Sequence, residues 1–89
     1  MHEDKHKQAC DQFKLICDKF NELKDYETAS YFYKRWLDVA SMKDITDKII
    51  DAYVGLGTCE ENVLNIEKAI ENFETASYKA SQRGNNYKP

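Results

Sequence analysis

Tyr53-Val54-Gly55-Leu56-Gly57, followed twelve residues after Gly57 by Ala69, four further on by Phe73 and three further on by Ala76, is the stretch from which an architecture can be read. Apolar and small residues at three- and four-residue steps mark helices, and the alternation of small with large marks two helices that cross closely. Backbones approach only where the side chains between them are small. Gly57 and Ala69 therefore let Tyr53, Leu56 and Phe73 interdigitate around them. A related pattern stands earlier in the chain as Phe13, Ile16, Cys17, Phe20, Ala29 and Tyr33. At an offset of 40 residues Asp11/Asp51, Glu27/Glu67, Ala29/Ala69, Ala40/Ala80 and Ser41/Ser81 are identical, and Phe13/Tyr53, Ile16/Leu56, Tyr33/Phe73 and Lys43/Arg83 are close in kind. Self-similarity at such a period signals units that bury their apolar faces against one another. The expectation is an all-α fold of tandem antiparallel helical hairpins, an α-solenoid with four helices.

The second unit, an aromatic, Leu56-Gly57, then Ala69 and Phe73 four apart, resembles the tetratricopeptide repeat (TPR). In the first unit Cys17 replaces the glycine and Trp36 stands where a small residue is usual, and in the second Glu60 stands where an aromatic is usual. The resemblance covers roughly residues 9 to 84 as two tandem repeats of 40, longer than the ~34 of the commonest form. The run from Tyr33 to Ala40, leading to Ala52 through Gly57, is similar to the long-helix subclass of polarity adaptors and some ciliary or signalling scaffolds. The resemblance implies that the first helix of each hairpin lines a concave groove. Its contact face would carry Asp11, Lys14, Asp18 and Asn21 in one unit and Asp51, Val54, Thr58 and Glu61 in the next. Family members that hold a terminal carboxylate use Lys, Arg and Asn on this face, whereas Asp18 and Asp51 occupy it here. The expected partner is a protein or peptide of basic or mixed charge.

Periodicity places the helices independently of any family. Ala9, Phe13, Ile16, Cys17, Phe20 and Leu23 form one stripe, and Ala29, Tyr33, Trp36 or Leu37 and Ala40 a second. Ile45, Ile49, Tyr53, Leu56 and Val63 form a third, and Ile66, Ala69, Ile70, Phe73, Ala76 and Ala80 a fourth. Asp25 and Asn65 suit N-caps ahead of Glu27 and Glu67, whose charges favour a helix amino terminus. Lys43 and Arg83 sit near carboxy-terminal ends, and Gly84 suits a left-handed cap. The expected organisation is a polar extension over 1–8, two hairpins over 9–84 and a flexible tail over 85–89.

Composition narrows the function. The chain has 89 residues, 42% hydrophobic and 33% charged, with its single Pro at position 89, where it interrupts no helix. A formal charge of -3 argues against nucleic-acid binding, which needs a clustered basic surface. The longest apolar run, Ala52 to Gly57, is far short of the ~20 residues that span a bilayer, and Met1-His2-Glu3-Asp4-Lys5 lacks a signal core. Cys10, Cys17 and Cys59 are odd in number, form no Cys-x-x-Cys pair and fall in or beside the apolar stripes, as buried small hydrophobes do. Reduced thiols fit a cytoplasmic location.

His2-Glu3-Asp4-Lys5-His6 formally matches the zinc-protease motif His-Glu-x-x-His. A catalytic zinc also needs a third ligand, a supporting shell and a cleft, whereas this match is followed by Lys7 and Gln8 and the chain has no other His. Gly55-Leu56-Gly57 lacks the strand and third glycine of a dinucleotide site, and no serine has a histidine partner. The expectation is a protein with no catalytic residue, cofactor or metal. Two readings of its role stand: an adaptor holding a partner in the groove, or a small structural subunit of a larger assembly, such as a ciliary or other cytoskeletal complex. The second rests on the last helix, where Ile66, Ile70, Phe73 and Tyr78 have nothing after them to cover their outer side. Tyr31, Phe32 and Tyr78 are then candidate interface aromatics.

Overall fold

The computed structural model describes residues 5–85, which form four helices: α1 over Lys5–Glu22, α2 over Tyr26–Met42, α3 over Thr46–Asn62 and α4 over Ile66–Asn85. The protein is all-α, with no strand among the described residues. α1 starts at Lys5, so the polar amino-terminal segment is already helical before Ala9.

The three connections are copies of one another. Lys24, Asp44 and Leu64 adopt left-handed backbone conformations with φ of 59°, 54° and 64°. Each donates its amide to the carbonyl three residues back, Asn21, Ser41 and Glu61, at 3.0, 3.2 and 3.0 Å. The next amide reaches five residues back, from Asp25 to Phe20 at 2.9 Å, Ile45 to Ala40 at 3.0 Å and Asn65 to Glu60 at 2.8 Å. This Schellman closure satisfies the last carbonyls of the preceding helix. Non-glycine residues hold it at a cost of roughly 1–2 kcal/mol each, so packing of the returning helix imposes the turn. Because the turns recur at twenty-residue steps, each helix is one unit, and the 40-residue offset spans two.

Gly84 occupies the fourth place in that series and was the expected left-handed cap. It lies instead inside α4, which continues through Asn85, and no described glycine has positive φ. Glycine permits a left-handed turn but does not compel one. Asp25 does cap α2: its Oδ1 accepts from the Thr28 amide at 3.3 Å and its Oδ2 from the Thr28 hydroxyl at 2.8 Å. The stripes are shorter than expected at their ends, since Leu23 and Val63 fall at the turns and are exposed.

α2 packs between α1 and α3; α3 also touches α1 and carries α4, which among the described helices touches α3 alone. The core unites Cys10 and Cys17 of α1, Ala29, Tyr33, Trp36 and Ala40 of α2, and Ile49, Ala52, Leu56 and Cys59 of α3. Phe32, one of the candidate interface aromatics, is half-buried and stacks on Phe20 at 5.9 Å, with Phe13 tilted against it at 6.4 Å. Trp36 fills the space that a small residue usually leaves for a close crossing, stacked on Tyr33 at 5.5 Å and 3% exposed. Its indole N–H has no hydrogen-bond partner among the described residues.

Both central glycines receive an aromatic ring. A Cβ on Gly55 would overlap the Tyr33 ring across the α2–α3 contact, and one on Gly57 would lie 3.0 Å from the Phe73 ring across α3–α4. Ala69 and Ala76 are buried on the α4 side of that second contact. Small against large thus sets both helix spacings.

Candidate interaction surface

The face of α1 that the repeat pattern assigns to a groove is partly occupied by internal contacts. The Asp11 carboxylate accepts from Lys48 Nζ at 2.8 Å, joining α1 to α3. That hydrogen bond holds the Lys48 ammonium above the ordinary lysine range. Lys14 pairs with Asp18 at 3.0 Å, one helical turn apart and in the open. Two of the acids on this face are therefore matched by bases.

Asn21 has a different role from the one its position suggested. Its Nδ2 donates to the Tyr33 hydroxyl at 3.1 Å, and its Oδ1 accepts from Cys59 Sγ at 3.4 Å. One half-buried amide thereby links α1 to α2 and to α3. Cys17 completes the cluster by donating to the Ala29 carbonyl at 3.7 Å. Burial pushes the Cys17 thiol up to about 12, with the neighbouring Cys59 adding to the effect. Burial likewise raises Tyr33 to about 12 against the opposing hydrogen bond from Asn21, and raises the Cys59 thiol. A thiol held protonated is a poor nucleophile and metal ligand. The cluster is a polar clasp within the core.

On α3, Asp51, Val54, Thr58 and Glu61 are all exposed, as expected. The Thr58 hydroxyl donates to the Val54 carbonyl at 3.0 Å, and the Asn62 amide donates to the Thr58 carbonyl at 2.9 Å. Asp51 and Glu61 form no ion pair among the described residues. The unbalanced negative charge of the face therefore sits on α3.

α4 offers a second surface with two sides. Ile66 and Ile70 are 49% and 50% exposed, beside the half-buried Phe73. Tyr78 does not belong to that stripe. Eight residues beyond Ile70, it points about 80° further round the helix axis, where with Glu71, Glu74 and Thr75 it lines a shallow depression and its hydroxyl accepts from Gln82 at 3.0 Å. Tyr31 is also exposed, edge-on to Phe32 and under the Arg35 guanidinium at 5.9 Å.

Among the described residues no cluster of His, Cys, Asp and Glu suits a metal ion, and no helix is long and apolar enough to cross a membrane. His2, Glu3 and Asp4 of the zinc-protease match lie outside the described residues. The chain matches no family model, no curated protein and no solved structure.

The Asn21 clasp and the Asp11–Lys48 pair were not anticipated from sequence. The pair had a signal: its separation of 37 residues is one repeat less one helical turn, the spacing expected of stacked first helices. Asn21 had none, because a polar residue at that position reads equally well as solvated.

Proposed function

We propose that this chain is a non-enzymatic, TPR-like interaction module of the cytoplasm that holds a protein or peptide of basic or mixed charge along the exposed faces of α1 and α3. The observation that carries the reading is the Asp11–Lys48 contact at 2.8 Å, which sets these two helices side by side. Asp51 and Glu61 then present charges unpaired among the described residues on α3, beside the exposed Asp18 of α1, whose i,i+4 pair with Lys14 is readily exchanged for a partner's cation. Such a surface attracts cationic segments and speeds their encounter. Cys17 and Cys59, held protonated by burial, are poor nucleophiles, which suits recognition rather than chemistry.

The half-exposed Ile66 and Ile70 favour a second reading, a subunit of a larger assembly gripped by the outer side of α4. Titration with a panel of lysine-rich peptides, followed by fluorescence anisotropy, separates the two. The groove reading predicts binding that weakens with salt and is lost in Asp18→Lys/Asp51→Lys at unchanged helix content. Partner capture that survives those substitutions but fails in Ile70→Glu would replace it with the assembly reading.

A further inference from the structure

The register of the repeat specifies what would cover the open side of α4. Every residue of α2 has its counterpart in α4 forty positions on, and every residue of α1 after Lys5 has its counterpart in α3. In α2, the side meeting α3 carries Tyr33 over Gly55 and Ser30 beside Cys59. The counterparts in α4 are Phe73 and the half-exposed Ile70. In α1, the side meeting α3 carries Asn21 against Cys59. Its counterpart in α3 is the exposed Glu61. Both open positions border the place that a helix would occupy if it followed α4 as α3 follows α2, and the helix that corresponds to α3 is α1.

We propose that α1 of a second copy docks in that place, so that copies of the chain stack head to tail. The partner residues follow from the same forty-residue shift. Leu15 stands where α3 has Gly55 and meets Phe73, and Lys19 stands where α3 has Cys59 and meets Ile70 and Glu61. Leu15 is 63% exposed, and Lys19 makes only a surface contact to Glu22 at 4.0 Å, which is readily exchanged. The charges match: the neutral Asn21–Cys59 contact is replaced by glutamate facing lysine. The volumes match as well. Leu15 in place of a glycine sets the incoming helix further out, and Ile70 in place of Ser30 fills the wider gap. This contact joins different surfaces of the two copies, so a dimer keeps one free surface of each kind and can add further copies.

Sedimentation equilibrium of the full chain across a concentration series tests the proposal, with circular dichroism as the folding control. The wild type is expected to pass from monomer through dimer to heavier species, while Leu15→Glu and Ile70→Glu each remain monomeric. An equimolar mixture of the two variants retains one intact surface on each partner and is expected to form a one-to-one dimer that grows no further. Glu61→Lys should weaken association about tenfold through like-charge contact with Lys19, and Glu61→Lys/Lys19→Glu should restore it. A wild type that stays monomeric throughout, or a mixture that does, overturns the proposal. Dimerisation of Leu15→Glu alone also overturns it, because that result means α4 pairs with α4.

Discussion

α2 and α4 are counterparts forty residues apart and share the step from alanine to aromatic, Ala29 to Tyr33 and Ala69 to Phe73, yet their surroundings differ. α2 lies between two neighbours and buries Ala29, Tyr33, Trp36 and Ala40, whereas α4 lies against α3 alone and buries Ala69 and Ala76. Trp36 closes the centre of the three-helix core, whereas its counterpart Ala76 is buried at the single α3–α4 contact. Place in the stack, more than the repeated pattern, decides how deeply a helix is held. The three-helix part also has the polar clasp at Asn21, while the stripe of α4 is left with Ile66 and Ile70 facing outward.

Substitutions at counterpart positions break this comparison most sharply. Trp36→Ala should cost about 3–5 kcal/mol in urea unfolding, the range for emptying a buried aromatic site. Phe73→Ala should cost less, because Phe73 is only half-buried. Equal losses would mean that α4 is held as firmly as α2.

At the two small-to-large contacts, Gly55→Ala and Ala69→Leu should each destabilise by about 1–3 kcal/mol through overpacking. The Tyr33 ring that a Gly55 Cβ would strike is fixed by Trp36 and Asn21 and has little room to retreat. An unchanged thermal melt for Ala69→Leu would remove the close α3–α4 crossing from the account.

Asn21→Ala leaves the Tyr33 hydroxyl and the Cys59 thiol without their partner and should cost about 1–3 kcal/mol. The clasp also sets an alkaline limit. Cys17 and Tyr33 ionise at 9.0 and 10.0 in the unfolded chain but only at about 12 in the folded one. Above pH 9 the unfolded chain therefore holds fewer protons than the native one, and stability falls as pH rises towards 12. Under reducing conditions the urea midpoint should decline through this window, and Cys17→Ala with Tyr33→Phe should flatten the decline. A midpoint as steep in the double variant as in the wild type would place the titrating group elsewhere. The smallest effect is expected from Asp11→Ala, below about 1 kcal/mol, since its bridge to Lys48 is partly solvent-exposed.

The helices and the crossing residues were legible in the sequence because both depend on local spacing: Gly57 lies against the Phe73 ring and Ala69 is buried, as their steps imply. The turns were not, because their left-handed residues are Lys24, Asp44 and Leu64, and the one glycine that advertised such a turn, Gly84, lies within a helix. Of the candidate groove, exposure was legible on α3, where polar residues recur on one side of an amphipathic helix. The bonds of Asn21 to Tyr33 and Cys59 were not, since they depend on how three helices converge. Tyr78, grouped in sequence with Ile66, Ile70 and Phe73 on the outer side of the last helix, lines instead a depression with Glu71, Glu74 and Thr75.

Native-state hydrogen exchange, resolved by residue and run on the Ile70→Glu variant so that association does not cover α4, addresses the unequal hold on α2 and α4 most directly. Amides of α2 around Tyr33 and Trp36 should exchange only through global unfolding, and those of α4 around Ala69 and Phe73 should exchange faster, through local opening, with little denaturant dependence. Equal protection of α2 and α4, rising and falling together with denaturant, would contradict the account.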